Sequence, residues 1–145
     1  MMILVPLDFS DHAQRALTCA LELAEPLQAR LTLLHVIHLP APGEVDVAGY
    51  LSAVEAVARQ GLATALQRVR QAGIEAHSRL VHGVPWQQIV DTARALPADL
   101  IVMATHGRTG LQHALIGSVT ERVVRHAPCP VLVVPLRAAG AQAGA

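Results

Sequence analysis

Apolar runs and apolar stripes alternate along this chain. Residues 2–7 are apolar up to Asp8, and residues 31–37 are nearly so. Residues 74–81 alternate in part, residues 100–104 are apolar throughout, and Val131–Val134 lies between Pro130 and Pro135. Runs without polar alternation suit strands buried on both faces, as in a parallel sheet, and the partial alternation of 74–81 suits a strand near a sheet edge. Between the runs, apolar residues recur three and four apart. Ala13, Ala16, Leu17, Ala20, Leu21, Ala24 and Leu27 make one helical stripe, and Leu51, Val54, Ala58, Leu62, Ala65 and Val69 a longer one. Ile89, Val90 and Ala93 predict a short third helix, and residues 119–126 a fourth.

Helix-breaking and capping residues fall where these elements should end. Ser10 or Asp11 can cap the first helix. Pro40, Pro42 and Gly43 make a loop of residues 38–47, and Gly73 is placed to end the second helix. Pro85 can open the third helix, after Gly83 breaks the preceding strand, and Pro97 closes it. Ser118, three residues before Glu121, has the spacing of a capping box at the fourth helix. Strands alternating with helices imply right-handed crossovers and an open parallel sheet with helices on both faces. Ligands of such sheets bind beyond the carboxyl ends of the strands, where the strand order reverses. Asp8, residues 36–38 and residues 105–110 all follow strands and should converge on that crevice.

The 145 residues fit a single domain, and a 52% hydrophobic composition supplies its core. Formal net charge is zero, and Phe9, Tyr50 and Trp86 are the only aromatic residues of their kind. Nucleic acid is therefore not an expected partner, either through a basic surface or through base stacking. All eleven basic residues are Arg, which excludes a Schiff-base lysine and the Walker A loop. Cys19 and Cys129 match no zinc or redox spacing. Polar Asp8, Ser10, Asp11 and His12 follow the apolar start too soon for a signal peptide, and no apolar run is long enough for a membrane span. A cytoplasmic protein with no membrane partner is expected. The tail, residues 138–145, is Ala, Gly and Gln, and is expected to be disordered beyond a domain of residues 1–137.

The chemistry concentrates after the fourth strand. The loop there holds Gly107, Gly110 and Gly117 with His106, Arg108 and His113, and no acidic residue. A strand, a glycine-bearing loop and a helix start make an anion site, because the first N–H groups of the helix are unpaired and its dipole favours negative charge. Gly117 and Ser118 read equally as a turn with a cap. Asp8 suits either a ribose hydroxyl or metal-bound water, or else a helix cap. Arg108 suits either a γ-phosphate or solvent. His35 and His38 fall on opposite faces of a strand and make no metal pair. Cys129 reads either as a redox-sensitive thiol or as a semi-buried structural residue.

From about residue 3 to residue 134 the chain resembles the universal stress protein family. V-P-L-D-F-S at the first strand, L-L-H-V-I at the second and P-V-L-V-V-P at the last carry the likeness. The segment after the fourth strand carries more. ATP-binding members have Gly, two residues, Gly, nine residues, then Gly and Ser or Thr. This chain has Ala104, Thr105-His106, Gly107, nine residues, Gly117 and Ser118, so the first glycine is replaced. The resemblance implies a Rossmann-like α/β sheet of five parallel strands in the order 3-2-1-4-5, with the crevice between strands one and four. It implies ATP with Mg²⁺ as the ligand. By position, Asp8 resembles the acidic residue near the nucleoside and the backbone of Val36 the adenine contact. Gly107, Gly117, Ser118 and the N–H of Val119 resemble the phosphate cradle. Pro6, Met103, Ala104, His106, Arg108 and Gly110 complete the candidate set. A stress-response regulator or sensor is implied, with slow hydrolysis at most, and a homodimer through Val131–Val134.

Two alternatives stand beside this. Ala104 favours a nucleotide-free interaction module of the same fold. An ATP pyrophosphatase of the related adenylate-forming folds would need a Ser-Gly-Gly-type loop after the first strand, where this chain has P-L-D-F-S.

Overall fold

The chain's alternating pattern closes into a parallel sheet in the computed structural model, which describes residues 1–39, 43, 47–107 and 116–136. In chain order the elements are β1 (Met2–Pro6), α1 (Asp11–Leu27), β2 (Arg30–Ile37), α2 (Val47–Gln71), β3 (Ala76–His82), α3 (Pro85–Ala95), β4 (Leu100–Ala104), α4 (Ser118–His126) and β5 (Val131–Val134). The five strands lie in the order β3-β2-β1-β4-β5, all parallel. β2 follows β1 and β4 lies on β1's other side, so the order reverses at β1. β1 and β4 pair only as Ile3↔Leu100 and Leu4↔Ile101, and beyond that the two strands part.

The core is two apolar layers. On one face Ile3, Val5, Leu31, Leu33 and Val102 pack with Ala16, Leu17 and Ala20 of α1 and Leu62 and Val69 of α2. On the other, Leu4, Leu34, Ile101 and Met103 pack with Ile89 and Ala93 of α3 and Val123 of α4. Alternate residues of one strand thus feed opposite layers, which is why the sequence shows no polar alternation in β1 and β4.

The ends of the elements show which local signals won. Ser10 is the N-cap of α1 and its side chain accepts the Ala13 N–H. Pro26 sits inside the last turn of α1, which then closes at Gln28 in the left-handed region, φ 51°. α2 begins at Val47 instead of Leu51, since the breaking residues all precede it. Gly73, with φ +79°, stands just past α2, where a side chain would be strained. β3 begins at Ala76, later than the apolar pattern suggests, and is an edge strand with exposed residues along it. Pro85 is the first residue of α3.

The capping box at α4 is a correction. The N-cap is Gly117, with no side-chain bond, and Ser118 is the first helical residue. Counting from Gly117, the reciprocal position is Thr120 and not Glu121. Glu121 instead pairs with Arg125 at 2.7 Å along the exposed face. Pro40, Pro42, Arg108, Gly110, His113 and the tail 138–145 lie outside the described residues. Among the described residues no helix is long and apolar enough to cross a membrane.

Candidate functional site

Where β1 and β4 separate, a cleft of about 390 Å³ opens at the carboxyl ends of the strands. Its volume is in the range of small-molecule sites. Pro6, Asp8, Val36, Met103, Ala104, His106, Gly107, Gly117, Ser118 and Val119 all line it. The structure therefore brings together every described residue of the candidate nucleotide site. They arrive from the ends of β1, β2 and β4 and from the start of α4.

Asp8 stands at the end of β1, in the loop to α1. Its Oδ1 accepts hydrogen bonds from the Ser10 N–H at 3.0 Å and from the Ser10 hydroxyl. Ser10 in turn caps α1, so Asp8 supports the cap and lines the cleft at once. Its other oxygen, Oδ2, faces Gly107, where an added Cβ would lie 2.6 Å from it. Only a residue without a side chain lets the β4–α4 loop come this close to the carboxylate. Between Asp8 and Ser10, Phe9 has φ 64°, unusual for a bulky residue. Its ring stacks on His35 with centroids 4.5 Å apart. The His35 Nδ1–H donates to the Leu7 carbonyl at 2.6 Å, tying the end of β2 to that of β1. His12, in the first turn of α1, and His106, after β4, meet edge to face with ring centroids 5.8 Å apart.

The other side of the cleft is the junction of β4 and α4. The Gly117 N–H donates to the Thr105 carbonyl at 2.6 Å, closing the base of the loop between them. A Cβ on Gly117 would lie 3.1 Å from that carbonyl oxygen and 3.4 Å from the His106 Cα. Bulk at Gly117 would therefore press first on the backbone of residues 105 and 106, in addition to crowding a ligand. The first intrahelical bond of α4 runs from the Glu121 N–H to the Gly117 carbonyl, 2.9 Å. The N–H groups of Ser118, Val119 and Thr120 have no carbonyl a turn behind them within the helix, and all three residues line the cleft. Ala104 is an extended strand residue, and the described non-glycine residues with positive φ are Phe9 and Gln28. Alanine at the first motif position thus carries no left-handed strain.

The sequence missed Leu7, Leu34, His35, Pro85, Ile89 and Thr120 as lining residues. Leu34 and His35 directly precede Val36 near the end of β2, so their strand-end position was a usable signal. Pro85 and Ile89 reach the cleft through the packing of α3, which no local pattern announces. Of the remaining candidates, Cys129 has its thiol pushed up by burial and secondarily by the Asp99 charge, which favours an inert structural thiol. Among the described residues no three His, Cys, Asp or Glu side chains cluster as metal ligands do.

The sequence matches the Universal stress protein family over residues 1–135. The chain belongs to that family. Universal stress protein MJ0531 of Methanocaldococcus jannaschii is 36% identical over 138 residues, covering 91% of this chain and 80% of that protein. The structure of universal stress protein UspA from Lactobacillus plantarum superimposes with a TM-score of 0.83 at 34% identity, covering 92% of this chain and 97% of that one. Two more distant universal stress proteins were solved with nucleotides. One is in complex with cAMP, with a TM-score of 0.73 and 27% identity over 92% of this chain and 96% of that one. The other, from Archaeoglobus fulgidus, is in complex with dAMP, with a TM-score of 0.67 and 29% identity over 92% and 96% of the two chains.

Proposed function

We propose that this universal stress protein binds an adenine nucleotide, ATP with Mg²⁺, in the cleft between β1 and β4, and that it acts as a regulator or sensor and not as a metabolic enzyme. The observation that carries the reading is the junction of β4 and α4. There Gly107 and Gly117 leave no room for side chains, and Ser118, Val119 and Thr120, whose N–H groups have no acceptor within the helix, line the same cleft. Such a junction suits phosphate oxygens. The apolar wall of Pro6, Leu34, Val36, Ile89 and Met103 suits a base. Relatives that hold cAMP and dAMP support an adenine nucleotide as the class of ligand.

The residues present fit a triphosphate at its anionic end. Ser118, Val119 and Thr120 would offer N–H donors there, and the Ser118 hydroxyl one more. Mg²⁺ is carried mainly by phosphate oxygens and one or two carboxylates. Asp8 is the carboxylate in the described lining, and the cation would supply charge neutralisation. Rapid hydrolysis needs a group that positions the attacking water. Asp8 is already engaged as a support of the α1 cap, so slow turnover or none is expected. The nucleotide-free alternative rests on Ala104, and the extended backbone there means that left-handed strain does not add to its support. We also place a homodimer contact at the open edge of β5.

Calorimetric titration of the purified chain with ATP–Mg²⁺ tests the ligand. Saturable binding is expected, and its absence would return the nucleotide-free module. A turnover well above about 1 per second, within the usual enzyme range, would overturn the regulatory reading.

A further inference from the structure

From the hydroxyl of Thr120 we infer a positioning role: it sets the start of α4 against the end of β4, so that the helix's free N–H groups meet a ligand's phosphates. The inference rests on the nucleotide reading above and adds a residue to it. Thr120 is one of three buried polar residues among the described residues, 3% exposed, and its Oγ1 donates to the Ala104 carbonyl at 2.8 Å. The other helical threonines with recorded hydroxyl bonds behave differently. Thr18 of α1 and Thr64 of α2 each donate to the carbonyl one turn back in their own helix, those of Gln14 and Gln60. That is the usual resting place of a helical hydroxyl. Thr120 instead leaves its helix for a carbonyl sixteen residues earlier.

The acceptor explains why. The N–H groups of Ile101 and Thr105 donate to the carbonyls of Pro130, just before β5, and Val134, its last residue. Strand alternation therefore turns residues 102 and 104 toward β1. The pairing of β4 with β1 stops at Leu4↔Ile101, so Ala104 lies past the point where β1 leaves. A buried carbonyl there needs a donor from outside the sheet. Thr120 supplies it from the third residue of α4. With the Gly117 N–H on the Thr105 carbonyl, this makes two successive rungs between strand end and helix start. The helix has no side-chain cap of its own at Gly117, so these rungs are what fix its first turn while leaving the N–H groups of Ser118 and Val119 to the cleft. The replaced glycine of the motif fits the same picture, because what position 104 contributes is its carbonyl.

The test compares Thr120→Val, which keeps the shape and deletes the hydroxyl, with Thr120→Ser, which keeps the hydroxyl. Each variant and the wild type are titrated calorimetrically with ATP–Mg²⁺ and with adenosine, and their folding is followed by thermal melts. A positioning role predicts that Thr120→Val loses ATP affinity by about tenfold or more, the scale of one strong polar interaction, while its adenosine affinity stays within about twofold. Thr120→Ser should stay near wild type for both. Equal losses for the two ligands, or no loss for ATP, would overturn the role, since a general structural defect does not single out the phosphates. If Thr120→Val does not fold, Thr120→Ser decides: retained ATP affinity supports the role, and loss of ATP affinity alone overturns it. A wild type that binds neither ligand defeats the nucleotide reading, and this inference with it.

Discussion

At the scale of single residues, the cleft is defined by one close approach, that of the Asp8 carboxylate to Gly107. One Asp8 oxygen is held by the Ser10 N–H and hydroxyl, so swinging the carboxylate away breaks both bonds that it makes to the residue capping α1. The other stands where a Gly107 Cβ would be, at 2.6 Å. Gly107→Ala should therefore destabilise the free protein by about 1–3 kcal/mol, the usual range for overpacking. Removing the obstacle should remove the cost. In an Asp8→Ala background the same substitution is expected to be nearly neutral, a coupling that urea denaturation of the two singles and the double would measure. A Gly107→Ala cost that persists without Asp8 would mean that the glycine answers to the loop backbone and not to the carboxylate. Both residues were visible in the sequence as candidates, but their mutual contact was not, because it joins positions far apart along the chain.

At the scale of elements, the loop from β1 to α1 is held by α2. Phe9 keeps its left-handed backbone because its ring is fixed between the His35 ring and the backbone of Gly61, where a Cβ would lie 2.6 Å from the Phe9 ring. Gly61→Leu should push the ring off His35 and disturb Asp8 next to it. A loss of about 1–3 kcal/mol in urea denaturation is expected, together with weaker ATP binding. The periodic pattern made these elements legible, because each strand of β1 and β4 is buried on both sides and each helix on one. It failed where the deciding contact lies elsewhere in the chain. The cap of α4 was read one residue too late because Ser118 has the right chemistry, whereas Gly117 is held at that position by the Thr105 carbonyl. Thr120 escaped notice for a related reason: nothing near it in sequence marks the carbonyl of Ala104 as its partner. The glycine motif, by contrast, was readable because its residues are local and close approach demands that residue type.

At the scale of the whole molecule, the sheet has two edges, β3 and β5. β3 carries exposed polar residues such as His77, Ser78 and Arg79, which blunt it. β5 is short and apolar, with Leu132 38% exposed. Its outward groups follow from the ladder to β4. The carbonyls of Pro130 and Val134 receive N–H groups from β4, so Leu132 faces β4 with them and Val131 and Val133 point their N–H and C=O groups away. An apolar strand with open backbone groups invites a second copy, and Pro135, lacking an N–H, limits how far the pairing runs. The proposed dimer can therefore be broken without breaking the fold. Val133→Pro deletes an N–H on the open side only, a place where an edge strand tolerates proline. Leu132→Pro would cut the ladder to β4 itself and confuse dissociation with unfolding. In sedimentation velocity at tens of micromolar, the wild type should run as a dimer and Val133→Pro as a folded monomer with a cooperative melt. A wild type that stays monomeric would overturn the contact, and a dimeric Val133→Pro would move it off the β5 edge.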